Sequence, residues 1–175
     1  MKQTITDILY FHGLDSFLSE EKRNILNLFG KVTAPTFNYR DPGGLPGITG
    51  LFNDMDMEST AIIGSSFGGY LAYIYSVKYD IPCLLFNPAL ALRSVDLALG
   101  KPLDRRISNL SYVVLGKQDD VINYKDSLTF ISQHFKGPKD IVIEEHLGHR
   151  IPIDIFEKHT TQFFEFLNLP EYLWL

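Results

Sequence analysis

Residues Gly64-Ser65-Ser66-Phe67-Gly68 follow the pattern Gly-x-Ser-x-Gly, a spacing that suits a nucleophilic serine on a tight turn. Short glycine and serine patterns arise by chance, so the context carries the reading. Here an apolar run, Thr60-Ala-Ile-Ile63, enters the motif and a helical pattern leaves it from Phe67 onward. Gly64 and Gly68 have no side chains, so strand and helix can approach closely around the serine. Ser66 then stands at a helix N-terminus, where backbone N–H groups favour developing negative charge. The chemistry would be attack on an acyl carbonyl. The plain alternative is a glycine-rich strand-to-helix turn with no chemistry.

A serine hydroxyl is a poor nucleophile until a base takes its proton. The chain holds five histidines. At strand–turn–helix serines the partners follow in the order acid, then histidine, with the histidine in the loop after the last strand. His12 and His134 fail on position, and His159 falls inside the final helix pattern. His146 and His149 remain, and motif position favours His149, with Gly148 beside it giving backbone freedom. The acid must orient the imidazole and stabilise its cation. Asp119 and Asp120 both follow an apolar run; Asp119 is preferred, and Asp120 reads as a cap or surface carboxylate. A tetrahedral intermediate also needs two donors for its oxyanion. The backbone N–H groups of Phe67 and Leu14 are assigned to that role, with His12 and Gly13 shaping the loop around Leu14. His12 itself reads as a structural, hydrogen-bonded histidine.

Short β-rich runs alternate with longer helical patterns, the signature of βαβ units and a parallel sheet. Strands are expected over 8–11, 32–35, 60–64, 83–86, 111–115 and 141–144. Helices are expected over 19–29, 67–79, 124–135 and 152–167. The strand runs are almost wholly apolar, as suits strands covered on both faces. Ser19, followed by Glu20 and Glu21, resembles an N-cap with acids in the first turn. Segments 38–47 and 91–106 read as loops, and neither is long enough to be a domain linker. One domain spanning 1–175 is expected, with a short cap over about 91–108.

At 175 residues, 45% hydrophobic and 21% charged, the composition is that of an ordinary globular protein. A formal net charge of -5 gives no support to nucleic-acid binding or to docking on anionic membranes. No window approaches the ~20 apolar residues of a spanning helix, and the N-terminus has no signal-peptide pattern. The cytoplasm is therefore the expected compartment. The single cysteine, Cys83, reads as a buried structural thiol. Arg93, Arg105 and Arg106 read as solvated charges, and the apolar tail 170–175 as packing on its own domain.

Four pieces of the chain carry a resemblance: Leu9-Tyr-Phe-His-Gly-Leu-Asp-Ser16, Ile63-Gly-Ser-Ser-Phe-Gly-Gly-Tyr70, Phe86-Asn-Pro-Ala-Leu90 and Asp119-Asp-Val-Ile-Asn-Tyr124. Together they resemble the YqiA-like esterases, a small-sized branch of the α/β-hydrolase superfamily. That resemblance implies a minimal α/β-hydrolase fold, a three-layer sandwich around six parallel strands in the order 2-1-3-4-5-6. It implies Ser66 as nucleophile, Asp119 as acid and His149 as base, and ester hydrolysis without metal or organic cofactor. The family's end motif resembles Gly-Gly-x-His-x-Phe; here the chain reads Glu145-His-Leu-Gly-His-Arg-Ile. The short 91–106 segment points to an open site for small or short-acyl esters. A monomer or weak homo-oligomer acting on a small-molecule ester is expected, with no nucleic-acid or membrane partner. Two rivals use the same residues: a catalytically silent hydrolase-like binding protein, and an acyltransferase.

Overall fold

The computed structural model describes residues 4–41, 48, 50–53, 55–92 and 107–169. Six strands form one sheet: β1 (Asp7–Phe11), β2 (Lys31–Thr33), β3 (Thr60–Ser65), β4 (Cys83–Phe86), β5 (Ser111–Gly116) and β6 (Lys139–Glu144). Every pairing is parallel, and the order is β2-β1-β3-β4-β5-β6, as expected. Packed on it are the α-helices α1 (Glu20–Leu26), α2 (Phe67–Tyr79), α3 (Tyr124–His134) and α4 (Ile153–Leu167).

Alternation along each strand explains the layers. Leu9, Phe11, Ile62, Cys83, Leu85, Val113 and Leu115 pack on one face with Phe67 and Leu71 of α2 and Ile131 of α3. Their neighbours Ile8, Tyr10, Ala61, Ile63, Leu84, Phe86, Tyr112 and Val114 face the other way, against Leu26 of α1 and Phe156, Phe163 and Leu167 of α4. Successive residues of a strand point to opposite faces, so two covered faces demand an apolar residue at nearly every position.

Several boundaries differ from expectation for tertiary reasons. Ser19 caps α1 as predicted, its Oγ accepting the Lys22 N–H at 3.4 Å, but the helix ends at Leu26. Phe29 lies beyond it, stacked on Phe164 of α4 with centroids 4.4 Å apart. Strand β2 starts at Lys31, where it pairs with Asp7, and stops before Pro35. Strand β6 starts two residues earlier than its apolar run, because Lys139 pairs with Ser111 at the sheet edge. The expected cap over 91–108 falls mainly on 93–106, which lie outside the described residues, as do Arg93, Arg105, Arg106, residues 42–47 of the first loop and the tail 170–175. Among the described residues no helix is long and apolar enough to cross a membrane.

One histidine belongs to the frame. His159 of α4 is fully buried, with Nε2 2.8 Å from Glu144 Oε1 and Nδ1 3.1 Å from the Tyr112 hydroxyl. Lys158 Nζ donates to the same Glu144 oxygen, and Gln162 Oε1 lies 2.9 Å from the Tyr112 hydroxyl. Burial lowers the His159 pKa, and the Glu144 hydrogen bond opposes this without reversing it. The folded state therefore takes up this proton less readily than the unfolded chain. Its stabilising contribution is intact above the ordinary value of 6.5 and is lost as pH falls below it. The melting temperature is expected to drop between pH 7.5 and pH 5.5, and His159→Gln to flatten that dependence. An unchanged slope in thermal melts of the variant would refute the assignment.

Candidate active site

Parallel strands end at one edge, and the register makes that edge level. Phe11 pairs with Gly64, Ser65 with Phe86, Phe86 with Val114, and Gly116 with Glu144. The segments that follow β1, β3, β4, β5 and β6 therefore leave together. They carry His12–Leu14, Ser66, Asn87, Asp119 and His149 in turn. Ser66 follows β3 beside β1, where the strand order reverses, the position at which open α/β sheets bind ligands.

Ser66 caps α2 with φ 55° and ψ -120°, a backbone conformation that costs a non-glycine residue about 1–3 kcal/mol. The strain is held by neighbours. The Ser66 N–H donates to the Phe86 carbonyl at 2.9 Å, and its carbonyl accepts from the Ala89, Gly69 and Tyr70 N–H groups at 3.0, 3.0 and 3.2 Å. Its side chain makes no capping hydrogen bond to α2. A Cβ on Gly68 would collide with the carbonyls of Phe11 and His12, so glycine there lets α2 seat directly against the end of β1.

Asp119 and His149 are joined. His149 Nδ1 lies 2.8 Å from Asp119 Oδ2 and 3.1 Å from Oδ1, and the Asp119 side chain is only 1% exposed. Asp119 Oδ1 also accepts the Val121 and Ile122 N–H groups, each at 2.8 Å. Burial pushes the carboxyl pKa up, but the hydrogen bonds from His149, Ile122 and Val121 together outweigh it and hold the value below the ordinary one. An ionised carboxylate can only accept, so Nδ1 carries the imidazole proton and Nε2 is left as the basic nitrogen. Asp120 and His146 take no part in this pair. Asp120 is exposed, and His146 is exposed with its Nδ1 3.3 Å from Gln118 Nε2. Among the described residues no hydrogen bond joins Ser66 Oγ to His149; such contacts commonly tighten only when substrate binds.

The β1 loop lies against the serine, since a Cβ added at Gly13 would stand 3.3 Å from Ser66 Cβ and 3.9 Å from Oγ. His12 holds this loop. Its Nε2 accepts the Phe37 N–H at 2.9 Å, so Nδ1 bears the proton and donates to the Gly13 carbonyl at 2.6 Å. Burial lowers its pKa, with the Gly13 bond opposing, in keeping with a neutral ring. The peptide unit whose carbonyl His12 holds also carries the Leu14 N–H on its opposite edge, so His12 fixes the direction of that donor. Phe67, first residue of α2, has an N–H with no intrahelical acceptor.

Two supports were not read from the sequence. Tyr39 donates its hydroxyl to the His12 carbonyl at 3.1 Å, and Arg40 pairs with Asp15 at 2.7 Å, so the segment after β2 buttresses the β1 loop. Asn87, 2% exposed and at φ 41°, bridges three segments. Its Nδ2 donates to the Gly148 carbonyl at 2.8 Å and reaches the His149 carbonyl at 3.4 Å, while Oδ1 accepts the Gly116 N–H at 2.6 Å. A polar residue closing an apolar strand, before Pro88, was the available signal. Among the described residues no group of three or more His, Cys, Asp or Glu side chains could hold a metal ion.

The sheet order, the helical layers and the strained serine at the strand edge define an α/β-hydrolase fold. The chain belongs to the uncharacterised protein family UPF0227, whose profile matches residues 7–107. No curated protein matches the chain. Among solved structures it is similar to the alpha/beta hydrolase domain-containing protein 10 from mouse, 13% identical, with 95% of this chain and 92% of that one covered and a TM-score of 0.70. It is similar to a Bacillus cereus carboxylesterase at 13% identity, covering 93% and 89%, with a TM-score of 0.67. Acetyl xylan esterase 1 from Thermoanaerobacterium sp. JW/SL YS485 is 16% identical, covering 97% and 77%, with a TM-score of 0.63. At these identities the likeness is one of fold.

Proposed function

We propose that this chain is a serine hydrolase that cleaves small or short-acyl carboxylic esters. What supports the reading above all is the pairing of His149 with a buried, ionised Asp119 at the sheet edge where Ser66 is held in a strained turn. Ser66 Oγ bonds to the acyl carbon as its proton passes to His149 Nε2, and Asp119 stabilises the imidazolium. The oxyanion accepts from the Phe67 and Leu14 N–H groups. The ester C–O bond breaks, and the alcohol leaves with the proton from His149. Water then attacks the acyl-enzyme, giving a proton to His149, and the acid departs as Ser66 regains it. The small-substrate part rests on the brevity of the 91–106 segment, which leaves little chain to build a cap over the site.

A fluorophosphonate probe tests the reading. One adduct per chain is expected on the peptide containing Ser66, together with turnover of acetyl and butyryl p-nitrophenyl esters to free acid, and Ser66→Ala should lose both. A folded chain that takes no adduct would instead be a silent binding protein. Transfer of the acyl group to an added alcohol or amine in preference to water would make it an acyltransferase.

A further inference from the structure

We infer that Asn87 is a positioning residue that sets where the His149 imidazole stands over Ser66, an inference that rests on the catalytic reading above. Asp119 holds the ring only at Nδ1, which fixes tautomer and rotation; on the main chain the Gln118 N–H donates to the Leu147 carbonyl at 3.0 Å, which anchors the loop at Leu147 but not at Gly148 or His149. The constraint on those two residues comes from Asn87. The amide orientation of Asn87 is determined without ambiguity, because the Gly116 N–H requires an acceptor and the Gly148 carbonyl requires a donor. A flipped amide would set like against like at both contacts. No other side chain of similar size offers a donor and an acceptor side by side from this one position.

The connections around Asn87 tie all three catalytic segments to one turn. The residue before it, Phe86, accepts the Ser66 N–H, and Ala89, two residues after it, donates to the Ser66 carbonyl. Its own N–H donates to the Val114 carbonyl at 2.9 Å, and its Oδ1 holds Gly116 at the foot of the Asp119 turn. Nδ2 then fastens the loop at Gly148 and His149. The acid and base segments are thus tied to one buried side chain, and the serine to the main chain on either side of it. The left-handed backbone at φ 41° is tolerated by asparagine better than by most residues, which suits this amide to the site.

The test compares Asn87→Leu, which removes donor and acceptor, with Asn87→Asp, which keeps the acceptor for Gly116 and loses the donor to Gly148. Both are assayed on a butyryl ester below their melting temperatures, and the imidazole ¹H and ¹⁵N resonances of His149 are followed by NMR. A drop of about a hundredfold in kcat is expected for each, the scale on which a 1 Å misplacement acts, with KM changed less than about twofold and the His149 resonances shifted. If Asn87→Leu does not fold, Asn87→Asp alone carries the comparison. Variants that melt lower but keep wild-type kcat and unmoved His149 resonances would overturn the inference, leaving Asn87 a purely structural residue. Failure of the catalytic reading shows separately, as absence of the Ser66 adduct in the unmodified chain; shifted His149 resonances would still support the positioning.

Discussion

Replacing His149 with alanine is expected to lower kcat by about 10⁶-fold, and Asp119 with asparagine by about 10⁴-fold, with little change in KM. His146→Ala and Asp120→Asn should each stay within about twofold. The contrast follows from the geometry. His149 is the imidazole whose Nδ1 is bound to the buried carboxylate, while His146 is exposed beside Gln118. In Asp119→Asn the introduced amide would still accept the Val121 and Ile122 N–H groups. It could also present a donor to Nδ1 and so put the imidazole proton on Nε2, where the base is needed. The loss should fall on the chemical step, because none of these groups is asked to hold the ground-state ester. Steady-state kinetics on a butyryl ester, with probe labelling to confirm a folded site, decides it. Equal losses at His146 and His149 would sink the proposed triad.

The larger design was legible in the sequence, and the reason is the two-sided burial of the strands. Runs such as Cys83–Phe86 have no polar position because each residue meets one core or the other. What resisted reading depended on contacts between distant elements. The end of α1 is governed by Phe29 stacking on Phe164, a partner in the last helix of the chain. Asp119 and Asp120 are neighbours with identical chemistry, and only the turn that presents Val121 and Ile122 N–H to one of them separates the two. His146 and His149 likewise separate only once the loop is folded. Asn87 stood within a recognised Asn-Pro-Ala piece, but its role requires knowing that the ends of β4 and β5 and the loop after β6 meet.

The second large effect concerns stability. Gly68→Ala is expected to cost about 4 kcal/mol or more and to lower the melting temperature by roughly 10 °C. The added methyl would strike two backbone carbonyls, those of Phe11 and His12, and backbone at a strand end cannot swing aside as a side-chain tip can. Relief would require α2 to lift from β1, carrying Phe67 away from the β1 loop. Any folded fraction should therefore be slow to react with a fluorophosphonate, since both proposed oxyanion donors belong to the displaced parts. Gly50→Ala is the control. Among the described residues nothing lies within 4 Å of a Cβ there, and a change under about 0.5 kcal/mol is expected for such a site. Equal melting temperatures for the two variants would contradict the packing described.

Cys83 has a practical consequence. Its thiol is fully buried, hydrogen-bonded to Ser111 Oγ at 3.6 Å, and burial pushes its pKa up to about 11. It is the one sulfhydryl in the chain, and maleimide or iodoacetamide meets it neither exposed nor ionised. A cysteine introduced on the surface would therefore be the single reactive handle on the folded molecule. A fluorophore or spin label attached there could follow the chain in solution without first removing the native cysteine.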